Sequence, residues 1–106
     1  MDLDAQRERL ENELRTLLGR HARLTGHLRN TDRELPADWT EMAQFVENDE
    51  VLEALEGRTR ERLDGMVQAL ARIDQGIYLV CARCGGTIEA ERLDILPTTH
   101  VCAKCA

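Results

Sequence analysis

Aromatic side chains are scarce: Trp39, Phe45 and Tyr78 are the only three among 106 residues. A compact core of ordinary size draws on more of these large apolar groups, so the composition argues for an elongated helical protein rather than a globule. Basic residues are also in deficit, with 14 Lys+Arg against 20 Asp+Glu and a net charge of −6. Binding to duplex nucleic acid depends on neutralising phosphates, so direct sequence-specific DNA binding is not expected. Arg20, Arg23, Arg29 and Arg33 fall along one segment, but such a stripe reads as a solvated helix face. Long apolar runs are missing. The longest, around residues 77–82, is far too short to span a bilayer. The chain opens Met1-Asp2-Leu3-Asp4, without the apolar stretch of a signal peptide. A cytoplasmic location is therefore expected, and there Cys-x2-Cys pairs hold metal or do redox work more often than they form disulfides.

What is abundant is leucine at helical spacing. Leu3, Leu10, Leu17 and Leu24 fall seven apart, and Leu14, Leu28 and Leu35 fill the complementary series, with Arg7 and His21 as polar interruptions. This is the seam pattern of a coiled coil. A core histidine with a partly wet ring accounts for His21, and His27 and His100 likewise lack a second ligand nearby. Gly19 and Gly26 each weaken the helix by about 1 kcal/mol relative to alanine. Pro36 ends it, because proline disfavours a helical conformation at Leu35. A second helix carries Met42, Leu63, Leu70 and Ile77 in one series and Phe45, Leu52, Met66 and Ile73 in the other. Asp49, Glu56 and Thr59 interrupt that seam, and Val46, Val51 and Leu55 can take up burial by a slight rotation. Gly76 marks the helix end. A connection of a few residues between two seamed helices implies an antiparallel hairpin. Its first arm of about 32 residues would be on the order of 48 Å long. The expected fold is mainly α: an antiparallel two-helix coiled-coil hairpin over 1–75, with its tip near 35–43, and a small four-cysteine zinc-ribbon domain over 76–106.

The zinc expectation rests on the four cysteines. Cys81 and Cys84 form one Cys-x2-Cys pair, seventeen residues intervene, and Cys102 and Cys105 form the second. Each pair delivers two thiolates to one tetrahedral ion. Gly85 and Gly86 let the backbone turn tightly around the sulfurs, and Arg83 and Lys104 offset part of the negative charge. Thioredoxin-like redox chemistry is the alternative, but no βαβ pattern accompanies either pair. Four cysteines leave no open position for water, so the one zinc is structural rather than catalytic. A unit of this size cannot stabilise itself by burial alone, and metal binding would supply the difference.

Between the helices, Asp38 can serve as N-cap of the second helix, with Glu41 reaching back in a variant capping box. Both carboxylates suit the positive end of the helix dipole. Trp39 beside them has little of its own protein to pack against at a hairpin tip, which hints at a partner. Here the chain resembles the DksA/TraR family of bacterial transcription regulators. The resemblance is carried by Gly76-Ile77-Tyr78, Cys81-x2-Cys84-Gly85, Ile88, Arg92-Leu93, Pro97 and Cys102-x2-Cys105. The tip Asp38-x-x-Glu41-x-Ala43 is similar to the family's Asp-x-x-Asp-x-Ala motif, with glutamate in place of the second aspartate. Against the family's long members, the resemblance leads to the expectation of a short form, without their N-terminal extension and C-terminal helix.

The resemblance implies a regulator that binds RNA polymerase rather than DNA. Its hairpin enters the secondary channel, and Asp38, Glu41 and Ala43 approach the active-site region and alter promoter-complex stability. Some members bind ppGpp jointly with polymerase through basic side chains. By alignment those positions fall near Gly65, Leu96 and Ala106, none of them basic, so ppGpp is not an expected co-regulator unless Arg62 or Arg92 supplies the charge. The chain is read as a non-enzyme and a monomer. Two other readings stay open: a transcript-cleavage factor, whose paired tip carboxylates help hold a catalytic magnesium, and a zinc-ribbon coiled-coil adapter that binds another protein.

Overall fold

A computed structural model of the chain describes residues 1–29, 38–47, 53 and 57–106, and the side chains of 20–29 fall outside that description. Among the described residues, four helices have defined bounds, in chain order: α1 (Leu3–Arg29), α2 (Trp39–Val46), α3 (Gly57–Asp74) and α4 (Ala90–Ile95). Asp2 starts α1. Its carboxylate accepts from the N–H groups of Asp4 and Ala5 at 3.0 and 3.2 Å, satisfying two donors that have no partner inside the helix. At the other end of the bundle's long run, α3 closes in a Schellman motif. Ile77 N–H bonds the Arg72 carbonyl at 2.9 Å and Gly76 N–H bonds that of Ile73 at 3.1 Å, with Gly76 at φ +75. The glycine thus ends the helix as the sequence suggested. The reversal carries Ile77 off the helix axis, and this expected seam residue is exposed.

Helix α1 packs along α3. Arg7 pairs with Asp74, the last residue of α3, so the start of one helix meets the end of the other and the two run antiparallel. The core between them is drawn from Leu10, Leu14 and Leu18 on α1 and Leu63, Met66, Ala69, Leu70 and Ile73 on α3. The buried row on α1 advances by fours and admits Gln6 and Leu18, whereas Leu3 and Leu17 are only partly buried. A straight helix of 3.6 residues per turn drifts away from a strict seven-residue repeat, and burial follows the drift. Seam residues Leu24, Leu28, Leu35, Leu52 and Leu55, with Asp49, Val51 and Glu56, lie outside the described side chains, as do His21, His27, Pro36 and the four arginines of the possible basic stripe.

Helix α2 packs on α3, burying Met42 and Val46 one turn apart, with Trp39 and Phe45 partly buried beside them. Val46 rather than Phe45 takes the deeper position, the rotation anticipated for this segment. Trp39 does find its own protein to pack against: its indole Nε1 donates to the carboxylate of Asp74, the same group that pairs with Arg7. The start of α2 therefore lies beside the end of α3 and the second turn of α1, not remote from them. Burial of the Trp39, Met42 and Val46 face explains the difference, since an isolated tip would leave that apolar surface in water. No described helix is long and apolar enough to cross a membrane.

Candidate metal centre

After Gly76 the chain forms a small unit with one isolated antiparallel bridge, Val80 to Thr87. Around the first cysteine pair, Cys81 N–H bonds the Gly86 carbonyl at 2.7 Å and Gly85 N–H bonds the Cys81 carbonyl at 3.0 Å. Gly85 sits at φ +73, a conformation that costs glycine no steric penalty. The second pair turns likewise, with Cys105 N–H on the Cys102 carbonyl at 3.0 Å, and Ala82 N–H reaches the His100 carbonyl at 2.8 Å to hold the two turns together. His100 is exposed and enters through its carbonyl. Arg83 Nη1 donates to the Cys105 carbonyl at 3.3 Å, a further tie between the turns.

These turns bring the sulfurs of Cys81, Cys84, Cys102 and Cys105 within 4.8 Å of one another. The Cys84 and Cys102 sulfurs are 3.7 Å apart. Four sulfurs at about 2.3 Å from a tetrahedral zinc ion stand about 3.8 Å from each other, so the spacing fits that ion. None of the four is in a disulfide. Cys81 and Cys102 are buried, Cys105 is half-buried and Cys84 is exposed. Amides point at the sulfurs: Cys102 N–H donates to Cys81 Sγ at 3.3 Å and Gly86 N–H to Cys84 Sγ at 3.4 Å. Backbone N–H groups of Cys84 and Cys102 hold the Cys81 thiol down to about 6. Hydrogen bonding to the Cys102 and Cys84 thiols pushes Cys105 up to about 12. A divalent cation binding among these thiols would displace their protons, since cysteine ligates metal as the thiolate.

The unit docks on the hairpin through a buried polar network. Gln6 Nε2 donates to Tyr78 Oη at 3.0 Å and to the Leu93 carbonyl at 3.1 Å, and Tyr78 Oη donates to the Pro97 carbonyl at 2.7 Å. Burial raises the pKa of the Tyr78 phenol. Arg9 Nη1 adds a bond to the Asp94 carbonyl at 3.0 Å. The seven-residue pattern gave no sign of Gln6, which lies one position off the expected leucine row. Arg72 and Arg92 also hold backbone carbonyls in this region.

Asp38 caps α2 as expected. Its backbone is extended (φ −120, ψ 166) and its carboxylate accepts from Glu41 N–H at 2.8 Å. That is the forward half of a capping box. Asp38 and Glu41 are exposed, Ala43 is partly buried, and the acidic pair is separate from the cysteine cluster in the chain.

Residues 76–106 match the family model described as prokaryotic dksA/traR C4-type zinc finger. The solution structure of DnaK suppressor protein from Agrobacterium tumefaciens C58 superposes with a TM-score of 0.72 at 31% identity, over 99% of this chain and 91% of that one. The structure of transcription factor DksA2 from Pseudomonas aeruginosa gives a TM-score of 0.65 at 28% identity, over 97% of this chain and 78% of that one. An uncharacterised protein of Aquifex aeolicus (strain VF5) is 38% identical over 71 residues, 67% of this chain and 49% of that protein. The chain thus spans about half the length of this curated relative. The helical hairpin, the four-sulfur cluster and these likenesses agree: the chain belongs to the DksA/TraR family of zinc-finger transcription regulators.

Proposed function

We propose that this chain regulates transcription by binding RNA polymerase through its secondary channel, with Asp38, Glu41 and Ala43 turned toward the active-site region. The observation that carries the reading is a likeness to DksA structures over 97% and 99% of the chain. The helical part, 1–75, serves as the probe and 76–106 as its anchor. In the anchor, Cys81, Cys84, Cys102 and Cys105 hold one zinc ion, which supplies a structural cross-link and no open coordination position. The Gln6–Tyr78 network fixes the angle between anchor and hairpin, so that a rigid body rather than two tethered pieces meets the polymerase.

Two exposed carboxylates at a helix start offer polymerase a negative charge in a confined space, where it acts by field and not by bond chemistry. Promoter complexes are then weakened or strengthened according to how nearly balanced they are. Presenting this pair at the far end of the hairpin requires α2 to leave its seat on α3, exchanging the Trp39 bond to Asp74 and the burial of Met42 and Val46 for contacts with polymerase. Cleavage-factor chemistry is the less favoured reading, because the zinc-ribbon unit, residues 76–106, matches the dksA/traR regulators. As for ppGpp, Arg92 is engaged with the Val101 carbonyl, which leaves exposed Arg62 as the better candidate of the two arginines. The protein is taken to act as a monomer.

The test is transcription in vitro from a ribosomal-RNA promoter with purified protein, with and without ppGpp, together with co-sedimentation with polymerase. Binding and a changed promoter-complex lifetime, alike in both conditions, are expected. Absence of binding would overturn the reading in favour of an adapter with another partner. Release of short RNA fragments from a backtracked elongation complex would overturn it in favour of a cleavage factor.

A further inference from the structure

Two arginines from different helices meet the cysteine turns in the same way. Arg72, in the last turn of α3, donates through Nη2 to the Ile77 carbonyl at 3.1 Å and to the carbonyl of Val80. Arg92, in α4, donates through Nε to the Val101 carbonyl at 3.0 Å. Val80 immediately precedes Cys81, and Val101 immediately precedes Cys102. Each guanidinium therefore grips the carbonyl that enters a Cys-x2-Cys turn.

A peptide unit is planar and trans, so its C=O and the next residue's N–H point in opposite directions. Holding the Val101 carbonyl aims the Cys102 N–H, which donates to Cys81 Sγ at 3.3 Å. Holding the Val80 carbonyl aims the Cys81 N–H, which closes the turn on the Gly86 carbonyl at 2.7 Å. Gly86 in turn donates its own N–H to Cys84 Sγ at 3.4 Å. Arg72 keeps this place although its Nε is buried without a partner. An unpaired buried donor is costly, so the two carbonyl bonds from the same guanidinium must offset it.

We infer that Arg72 and Arg92 are positioning residues for the metal centre: they preset the sulfur-directed amides and so slow the escape of zinc. This rests on the four cysteines being the zinc ligands. Partners outside the ligand set that orient it commonly govern metal affinity by 10- to 100-fold. Arg72 also belongs to the hairpin, so the same contact ties the stability of the metal centre to the end of α3.

The experiment follows zinc release from the purified holoprotein to a chromophoric chelator, after metal analysis of the parent. Arg92→Met is expected to release zinc roughly tenfold faster or more, and Arg72→Met to do so as well, with Arg92→Lys and Arg72→Lys in between. Arg58→Met, exposed at the start of α3, should match the parent. Cobalt-substituted Arg92→Met should show a shifted thiolate-to-metal charge-transfer band, a readout that simple loosening of the helices would not move. If Arg72→Met does not fold, Arg92→Met carries the test alone. Release within about twofold of the parent, with an unchanged cobalt spectrum, overturns the inference. A parent without zinc overturns the ligand assignment instead.

Discussion

Replacing Gln6 with leucine tests how the metal unit is fastened to the hairpin. Gln6 is 6% exposed and donates two hydrogen bonds, to Tyr78 Oη and to the Leu93 carbonyl. Each such bond contributes about 1 kcal/mol net, and a buried carbonyl left without a partner costs about as much again. Tyr78 keeps its own bond to Pro97, and the added leucine methyls recover part of the loss through burial. The net destabilisation is therefore about 2 kcal/mol. With an unfolding entropy of about 2.1 cal/mol/K per residue, a 106-residue chain loses roughly 9 °C in Tm. Thermal unfolding of zinc-loaded protein by circular dichroism reads this directly, with Gln68→Leu, exposed on α3, as the control. A double-mutant cycle with Tyr78→Phe should show coupling above about 0.5 kcal/mol. A fall of less than about 2 °C with no coupling would mean that the network is not what holds the two parts together.

Cys81→Ser removes one of four sulfurs and should drop bound zinc below one per chain while α1 and α3 keep much of their helicity; full metal content in the purified variant would refute the ligand set. Tyr78 is the sole tyrosine, so its ionisation can be followed by tyrosinate absorbance. Its folded pKa lies above the ordinary value of 10.0, so the stability it contributes is complete below that value and is lost as pH rises through the folded pKa. Native protein should titrate later than denatured protein, and coincident curves would contradict the burial argument. Zinc affinity should rise with pH, because Cys105, pushed up to about 12, must give up its proton on binding. A flat pH dependence of zinc affinity in competition with a chelator would argue against the cysteine thiols as the ligands.

Much of this was legible in the residues. The cysteine spacing announced a tetrahedral sulfur cluster because two short turns must each deliver a pair, and the structure brings all four sulfurs together. Gly76 and Asp38 were readable because a helix end and a helix start have local chemical requirements, met here by a positive φ and a carboxylate on an amide. The hidden parts are contacts between distant segments. Gln6 carries no local signal of its bond to a tyrosine 72 positions away. Arg72 looks like any helix-terminal arginine until the reversal at Gly76 turns two carbonyls onto it. The place of Trp39 escaped for the same reason, since its partner Asp74 lies 35 positions on. The heptad row misjudged Leu17 and Leu18 because burial tracks the true helical pitch.

The acidic pair is the centre of the account, and Asp38→Asn tests it most directly. Asparagine is as good an N-cap as aspartate, so the bond to Glu41 N–H survives while the charge goes. Asp38→Ala, by contrast, loses both and about 1 kcal/mol of stability. Promoter-complex lifetime and polymerase affinity should be measured side by side for the parent and both variants. The account predicts that Asp38→Asn binds polymerase nearly as the parent does but leaves promoter complexes unaltered. Full regulation by Asp38→Asn, with loss only in Asp38→Ala, would show that the carboxylate is a helix cap and nothing more.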